Sequence, residues 1–415
     1  MFDKYIATNK KRTLLKKLIW AQMLGLTGAS LPWQTFTGNP LQFNAEKAHT
    51  LRSTVVAFSP IQSGSGDPSP TNVRPISGWT AVTVTGAGEN LWDDTATPTM
   101  IDCYASNGTA QQRQGFVYKL PAGTYTFKST RKILSDGCYI YGNVVNADGS
   151  FVSFFYIQTG QNESASETKT LTNGQYFIIY DAQASLPTHT PKFSYINLML
   201  NLGSTASPYA PTTISTTTLT FPQTVYGGTA EAAEDGTATG SGTMGRLVID
   251  STNYDKLEEY TSGDILGWSI SFANAGITFE NGSLPVCNML KGTTWSENGA
   301  CRVNFNRIYL FFRSEYPTLA DVLALVQNTP IEVVAPLATP VPFTPVASST
   351  PTAVQGINTM WTDGDNLTVE AKGEAVNLSA LQSLNMLLGG RYYNNGTADE
   401  LTDEEALDIL LGESR

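Results

Sequence analysis

Charge is scarce in this chain: Asp, Glu, Lys and Arg make up 15% of its 415 residues, against roughly 25% in an average soluble protein. Lys- and Glu-rich helical faces are therefore missing, and the abundant Thr, Ser, Gly, Asn and Ala favour strands and turns. Histidine is scarcer still, with only His49 and His189. Nucleophilic catalysis by a Ser or Cys with a His base has little to draw on, and the strained Gly-x-Ser-x-Gly elbow is absent. The four cysteines, Cys103, Cys138, Cys287 and Cys301, lie far apart with no C-x-x-C spacing. That argues against a zinc site or a disulfide framework and for buried small apolar residues in a protein made in a reducing cytoplasm. No apolar run approaches the roughly 18 residues of a spanning helix, and Lys16 and Lys17 interrupt the leucines where a signal-peptide core would lie, so folding in the cytoplasm without membrane insertion is expected. Two Gly-rich stretches, 64–67 and 236–245, are not followed by GK[ST] and read as turns, not phosphate loops.

What is present has a period of two. LRSTVVAF (51–58) and WTAVTVT (79–85) alternate as strands do, separated by a Pro- and Gly-rich connection too long to be idle. From Asn90 to Pro211 aromatic strands recur: 116–128 broken by a Pro121-Ala122-Gly123 turn, then 138–145, 151–158, 176–180 and 193–202. Such a series argues a two-sheet sandwich of jelly-roll type. Further strands are expected at 219–223 and 225–239, with Glu234-Asp235-Gly236 as a hairpin turn. If these pair with the strands at 50–89, the jelly roll is an insertion into a small β domain. Residues 244–371 read as a mixed module with strands at 246–250, 268–272, 276–280, 303–312, 331–336 and 367–371, and one helix capped by Thr318. Its Pro-rich 336–351 must be extended edge or wall.

The ends differ. Residues 9–24 form an amphipathic helix, with Leu14, Leu15, Leu18, Ile19 and Met23 on one side and Trp20 among them. Short helices are expected at 378–388 and 403–411, the latter with a Thr402/Glu405 capping box and Leu407, Leu410 and Leu411 in need of a partner surface. Leu14, Leu18, Trp20, Leu407, Leu410 and Leu411 are thus the candidate assembly contacts. The first end is basic and the last acidic within a net charge of −11, which suits head-to-tail or hub contacts, although two solvated helix faces account for the same charges.

The predicted fold class is mainly β: a multi-module β-sandwich or jelly-roll protein with an N-terminal amphipathic helix and short C-terminal helices. Its modules are 1–49, a helical attachment segment; 50–89 plus 212–243, a small β domain; 90–211, a carbohydrate-binding-like jelly roll; 244–371, a mixed β module; and 372–415, a helical tail.

Few residues could carry chemistry. Asp93-Asp94 and Glu258-Glu259 are adjacent, so on a strand they point apart and make no glycosidase pair. Asp363-Gly364-Asp365-Asn366 and Asn146-Ala147-Asp148-Gly149 offer oxygen ligands but lack the full series of a calcium loop and read as turns. The acidic chain, basic only at its first helix, is not expected to bind nucleic acid. No catalytic residue, metal or cofactor is expected. The aromatic residues of 90–211 offer a different chemistry, since sugar rings stack on exposed aromatic faces. Most of these rings must be core, and Tyr118, Tyr139, Tyr141, Tyr156 and Tyr180 are the candidates for glycan contact.

Four segments, AFSPIQSGSGDPSPTNVRPISGW (57–79), NLMLNLGSTASPYAP (197–211), PIEVVAPLATPVPF (330–343) and TMWTDGDNLTVE (359–370), resemble segments of minor structural proteins of phages and prophages, from the tails, baseplates and fibres of phages of Gram-positive and gut bacteria. The similarity runs in order over about 55–371 and leaves out both ends. It implies a virion component assembled in the host cytoplasm, with other virion proteins as partners, a homo-oligomeric state for which a trimer is one arrangement, and a host-surface glycan as a further partner. It carries over no catalytic residue. A purely architectural baseplate or decoration protein and a surface polysaccharide depolymerase are the alternative readings.

Overall fold

A computed structural model describes residues 33–45, 47–49, 51–132, 138–160, 164–183, 190–272, 276–375, 392–394 and 397–399. The helices expected at 9–24, 378–388 and 403–411 lie outside the described residues, and with them Leu14, Leu18, Trp20, Leu407, Leu410 and Leu411. The described chain is mainly β, with one α-helix and several antiparallel sheets.

The largest sheet has twelve strands. In order they are Val286–Cys287, Ile331–Phe343, Ala238–Ile249, Gly228–Ala233, Leu51–Phe58, Asn366–Ala375, Leu41–Ala45, Gly356–Thr362, Trp79–Ala87, Ile214–Val225 and Val346–Ala347, with Trp33–Gly38 also paired to Asn366–Ala375. The sheet closes over itself. Leu51–Phe58 and Ile214–Val225 are not neighbours in it, yet the rings of Phe58 and Phe221 stack at 5.1 Å. Val56, Val82, Leu219, Leu367 and Val369, each buried, fill the space between the two halves.

Pairing across long sequence separations explains its order. Ile214–Val225 lies against Trp79–Ala87, and Gly228–Ala233 against Leu51–Phe58. The turn at Glu234-Asp235-Gly236 joins the next hairpin, with Gly236 in the left-handed region at φ 83° and its N–H donating to Ala233 O. Residues 33–45, within the stretch expected to be a helical segment, form two strands. Their alternation is real but brief: Leu41, Phe43 and Ala45 are buried while Gln42 and Asn44 lie between them.

Between Ala87 and Ile214 the chain leaves this sheet and builds an insert of two further sheets. One runs Phe151–Gly160, Cys138–Val145, Tyr176–Asp181, Ala110–Tyr118, Thr99–Tyr104, and the other Ser164–Leu171, Gly123–Arg131, Ile196–Leu202. They face each other across a core in which Tyr125, Phe127 and Leu200 of the smaller sheet meet Ile140, Phe155, Phe177 and Ile179 of the larger. The last strand starts at Ile196 and not at Phe193, because Pro191 leads into a single 3-10 turn at Lys192–Tyr195.

A second five-stranded sheet, from Glu258–Ser262 to Ala300–Asn304 and Lys291–Gly292, packs with the helix Leu319–Asn328. Thr318 caps the helix: its hydroxyl accepts the Asp321 N–H and the Asp321 carboxylate accepts the Thr318 N–H. The strand expected at 276–280 is reduced to a bridge between Phe279 and Leu337. Pro336 lies beside it; its carbonyl accepts the Glu280 N–H, so the side lacking a donor faces away from Ala238–Ile249, where it breaks no ladder bond. At the far end Tyr392–Asn394 pairs with Thr397–Asp399. Among the described residues no helix is long and apolar enough to cross a membrane.

Candidate functional site

The two faces of the insert's five-stranded sheet are both aromatic because its strands alternate rings with rings. Phe154, Phe155 and Tyr156 follow one another, and strand geometry sends the middle one inward and its neighbours outward. The outer row crosses three strands: Tyr156 pairs with Tyr141, and Tyr141 with Tyr180. Tyr139 stands two residues from Tyr141 and so on the same face. Around Tyr141 the rings of Phe154, Tyr156, Tyr180 and Tyr139 lie at 5.2, 5.2, 6.0 and 6.4 Å, all near perpendicular, the edge-to-face arrangement that ring quadrupoles favour.

One side of this face is closed. Thr99–Tyr104 is the far edge strand of the sheet, yet the Tyr104 N–H donates to Asn143 Oδ1 (2.8 Å) and Asn143 Nδ2 donates back to Tyr104 O (3.0 Å). The hairpin therefore curls over the sheet. Beneath it Tyr180 is fully buried, its hydroxyl donating to Tyr104 O at 2.7 Å. Burial pushes the Tyr180 phenol above its ordinary range, and burial, with Tyr156 and Tyr139 beside it, does the same to Tyr141. The open side belongs to Tyr156, which is 52% exposed, with Tyr139, Tyr141 and Phe154 half-buried next to it.

Of the five tyrosines singled out in the sequence, the structure thus brings four onto one face, with Tyr180 as support and Tyr139, Tyr141 and Tyr156 accessible. Tyr118 is elsewhere. It turns inward and stacks on Trp92 at 5.2 Å, and its hydroxyl accepts the Asp93 N–H at 3.2 Å.

A second concavity was not read from the sequence. It is a cleft of about 1030 Å³ between the twelve-stranded sheet and the insert, with Trp79, Trp361 and Tyr176 among its lining residues. These rings come from segments nearly 300 residues apart.

The acids and turns weighed as chemistry are engaged in structure. Glu258 pairs with Arg307 at 2.6 Å and Glu259 with Arg313 at 2.5 Å. Asp93 Oδ1 accepts from the N–H and hydroxyl of Thr95. Asp148 Oδ1 accepts the Ser150 N–H, and Asn146 bonds Ser150 and Gln175. Among the described residues no three His, Cys, Asp or Glu side chains are placed to hold a metal. His49 is exposed on a turn with φ 59°, and His189 lies outside the described residues. All four cysteines are buried, and burial pushes the Cys103 thiol up to about 12.

No protein-family description matches the chain, and no curated protein matches it. Two solved structures align at 10% identity: the Gx strain of infectious bursal disease virus, over 93% of this chain and 89% of that one, and the VP2 subviral particle of the same virus, over 87% and 89%. Their TM-scores are 0.08 and 0.09. At that level neither fold nor function carries over.

Proposed function

We propose that this chain is a non-enzymatic structural protein of a phage particle, of the tail, baseplate or fibre, whose insert makes contact with host-surface glycans. The observation that carries the reading is the outer face of the insert, where Tyr139, Tyr141 and Tyr156 cluster at the surface of a rigid sheet. Tyrosine gives large contact area at low entropic cost and adds a hydroxyl, which suits sugar rings with apolar C–H patches and polar rims. Two packed sheets with strands in this sequence suit the jelly-roll architecture expected of the insert. The phage assignment rests on the four segments quoted above. Two of them, 330–343 and 359–370, contribute strands to the twelve-stranded sheet, 57–79 connects two of its strands and carries the small Ile61–Gln62/Ile76–Ser77 pair, and 197–211 belongs mainly to the insert.

The full-length protein on an array of bacterial wall and capsular polysaccharides tests this reading. Binding is expected, and it should be weakened in a Tyr141→Ala/Tyr156→Ala double variant that unfolds at the wild-type temperature. An array without any bound saccharide leaves the architectural role in its place. New reducing ends appearing when the protein is incubated with those polysaccharides would replace it with a depolymerase.

A further inference from the structure

The cleft between the twelve-stranded sheet and the insert is built as a site. Trp361 stands opposite Thr85 on neighbouring strands and also packs against the insert core, so it forms the floor at the junction. Trp79 borders one side, its indole held by donation from Nε1 to Ser59 O at 2.7 Å. Tyr176 borders the other, with the Lys119 ammonium 6.0 Å from its ring centre. At one end stands the Asp363-Gly364-Asp365 turn. Asp363 Oδ1 accepts the Thr83 N–H at 2.7 Å, and Asn39 clasps the turn by donating to Thr362 O and Gly364 O and accepting the Thr362 N–H. A Cβ on Gly364 would stand 2.7 Å from Ala57 O, so only glycine lets the turn sit this close. The Asp365 side chain is exposed into the cleft.

These features select a ligand. Both floor strands are already paired on each side, so no strand edge is open to an added peptide strand. Three rings with fixed carboxylates and amides suit a saccharide. About 1030 Å³ is at the top of the roughly 300–1,000 Å³ typical of small-molecule sites, which suits several sugar rings over one. Two carboxylates against one ammonium disfavour a polyanion.

We infer that this cleft is a second saccharide site, for a neutral or amino-sugar oligosaccharide, with Trp79, Trp361 and Tyr176 offering ring faces and Asp363 and Asp365 accepting hydroxyl or ammonium hydrogens. The inference deepens the glycan-contact reading and rests on it.

The full-length protein is titrated calorimetrically with three tetramers: N-acetylglucosamine (neutral), glucosamine (cationic) and galacturonate (anionic). The first two are expected to bind and the third is not. Asp365→Asn, which keeps the backbone bond from residue 365 to Ala57 O, should weaken the cationic tetramer by about tenfold, the size of a lost charged hydrogen bond. Trp361→Phe should weaken both binders, and Trp295→Ala, exposed and outside both candidate sites, should change neither. Stronger binding of galacturonate, or binding indifferent to Asp365→Asn and Trp361→Phe yet lost in Tyr156→Ala, overturns the cleft site while the outer face stands. No binding by any of the three, with polysaccharides still captured on the array, overturns the cleft alone; no binding in either experiment overturns both readings.

Discussion

On the inner face of the insert's five-stranded sheet, Phe155 and Phe177 are buried to within 2% of full enclosure and meet Phe127 at 5.1 and 5.0 Å. On the outer face of the same strands, Tyr141 and Tyr156 meet at a similar 5.2 Å, but Tyr156 remains half exposed. Contact geometry is alike on the two sides, so ring packing alone does not mark a core. What differs is the residue type and what lies beyond it. Phe155 and Phe177 face a second sheet, whereas Tyr139, Tyr141 and Tyr156, with Phe154 among them, face solvent except where the 99–118 hairpin covers Tyr180. A row of rings that alternate by strand parity can therefore serve folding on one side and contact on the other.

Substitutions on the two faces should separate these uses. Phe177→Ala is expected to have the largest effect, destabilising the insert by about 3–5 kcal/mol through a cavity in its centre, read from denaturant unfolding. Gly142→Ala should follow. A Cβ there would stand 2.2 Å from the Phe155 ring, with no room on either side of the sheet, and overpacking of this kind costs about 1–3 kcal/mol. Tyr156→Ala should change stability by less than about 0.5 kcal/mol, as exposed substitutions do, while weakening polysaccharide capture to what the cleft alone retains. A loss of stability matching that of Phe177→Ala would erase the contrast between the faces.

The smallest effect concerns pH. Asp148 sits in the turn between Cys138–Val145 and Phe151–Gly160, and bonds from Ser150 hold its carboxyl below the ordinary range. Because the folded value is the lower one, its contribution is complete at neutral pH and is lost as pH falls through the ordinary carboxylate range to the folded value. Asp148→Asn should flatten that acid limb of the unfolding midpoint by lowering stability slightly at neutral pH while leaving it unchanged below the folded value. The turn keeps the two aromatic strands in step, so the variant also checks whether register depends on it.

Much of this was legible in the sequence where the signal is local. Period-two alternation located the strands at 51–58 and 79–85, and Thr318 with Asp321 located the helix start. The aromatic face was legible only as composition, because Tyr156 stands on a different strand from Tyr139 and Tyr141 and their meeting depends on the register between the two. Tyr118 needed the structure, because its position relative to Trp92 follows from how the chain enters the insert and not from its own strand. The strands at 33–45 were hidden for a related reason: Leu41 pairs with Met360, over 300 residues on, and five residues of alternation without a visible partner carry little weight. The cleft was the least legible feature. Trp79, Tyr176 and Trp361 converge only through the order of strands in a twelve-stranded sheet and the placement of the insert beside it, neither of which periodicity reveals.

The most direct test measures unfolding temperature and polysaccharide binding on the same preparations of wild type, Tyr156→Ala and Phe177→Leu. The account expects Tyr156→Ala to unfold within about 2 °C of wild type with its polysaccharide binding weakened, and Phe177→Leu to unfold earlier while its folded fraction still binds fully. Full binding by Tyr156→Ala, or its unfolding as early as Phe177→Leu, would contradict the division of the sheet into a folding face and a contact face.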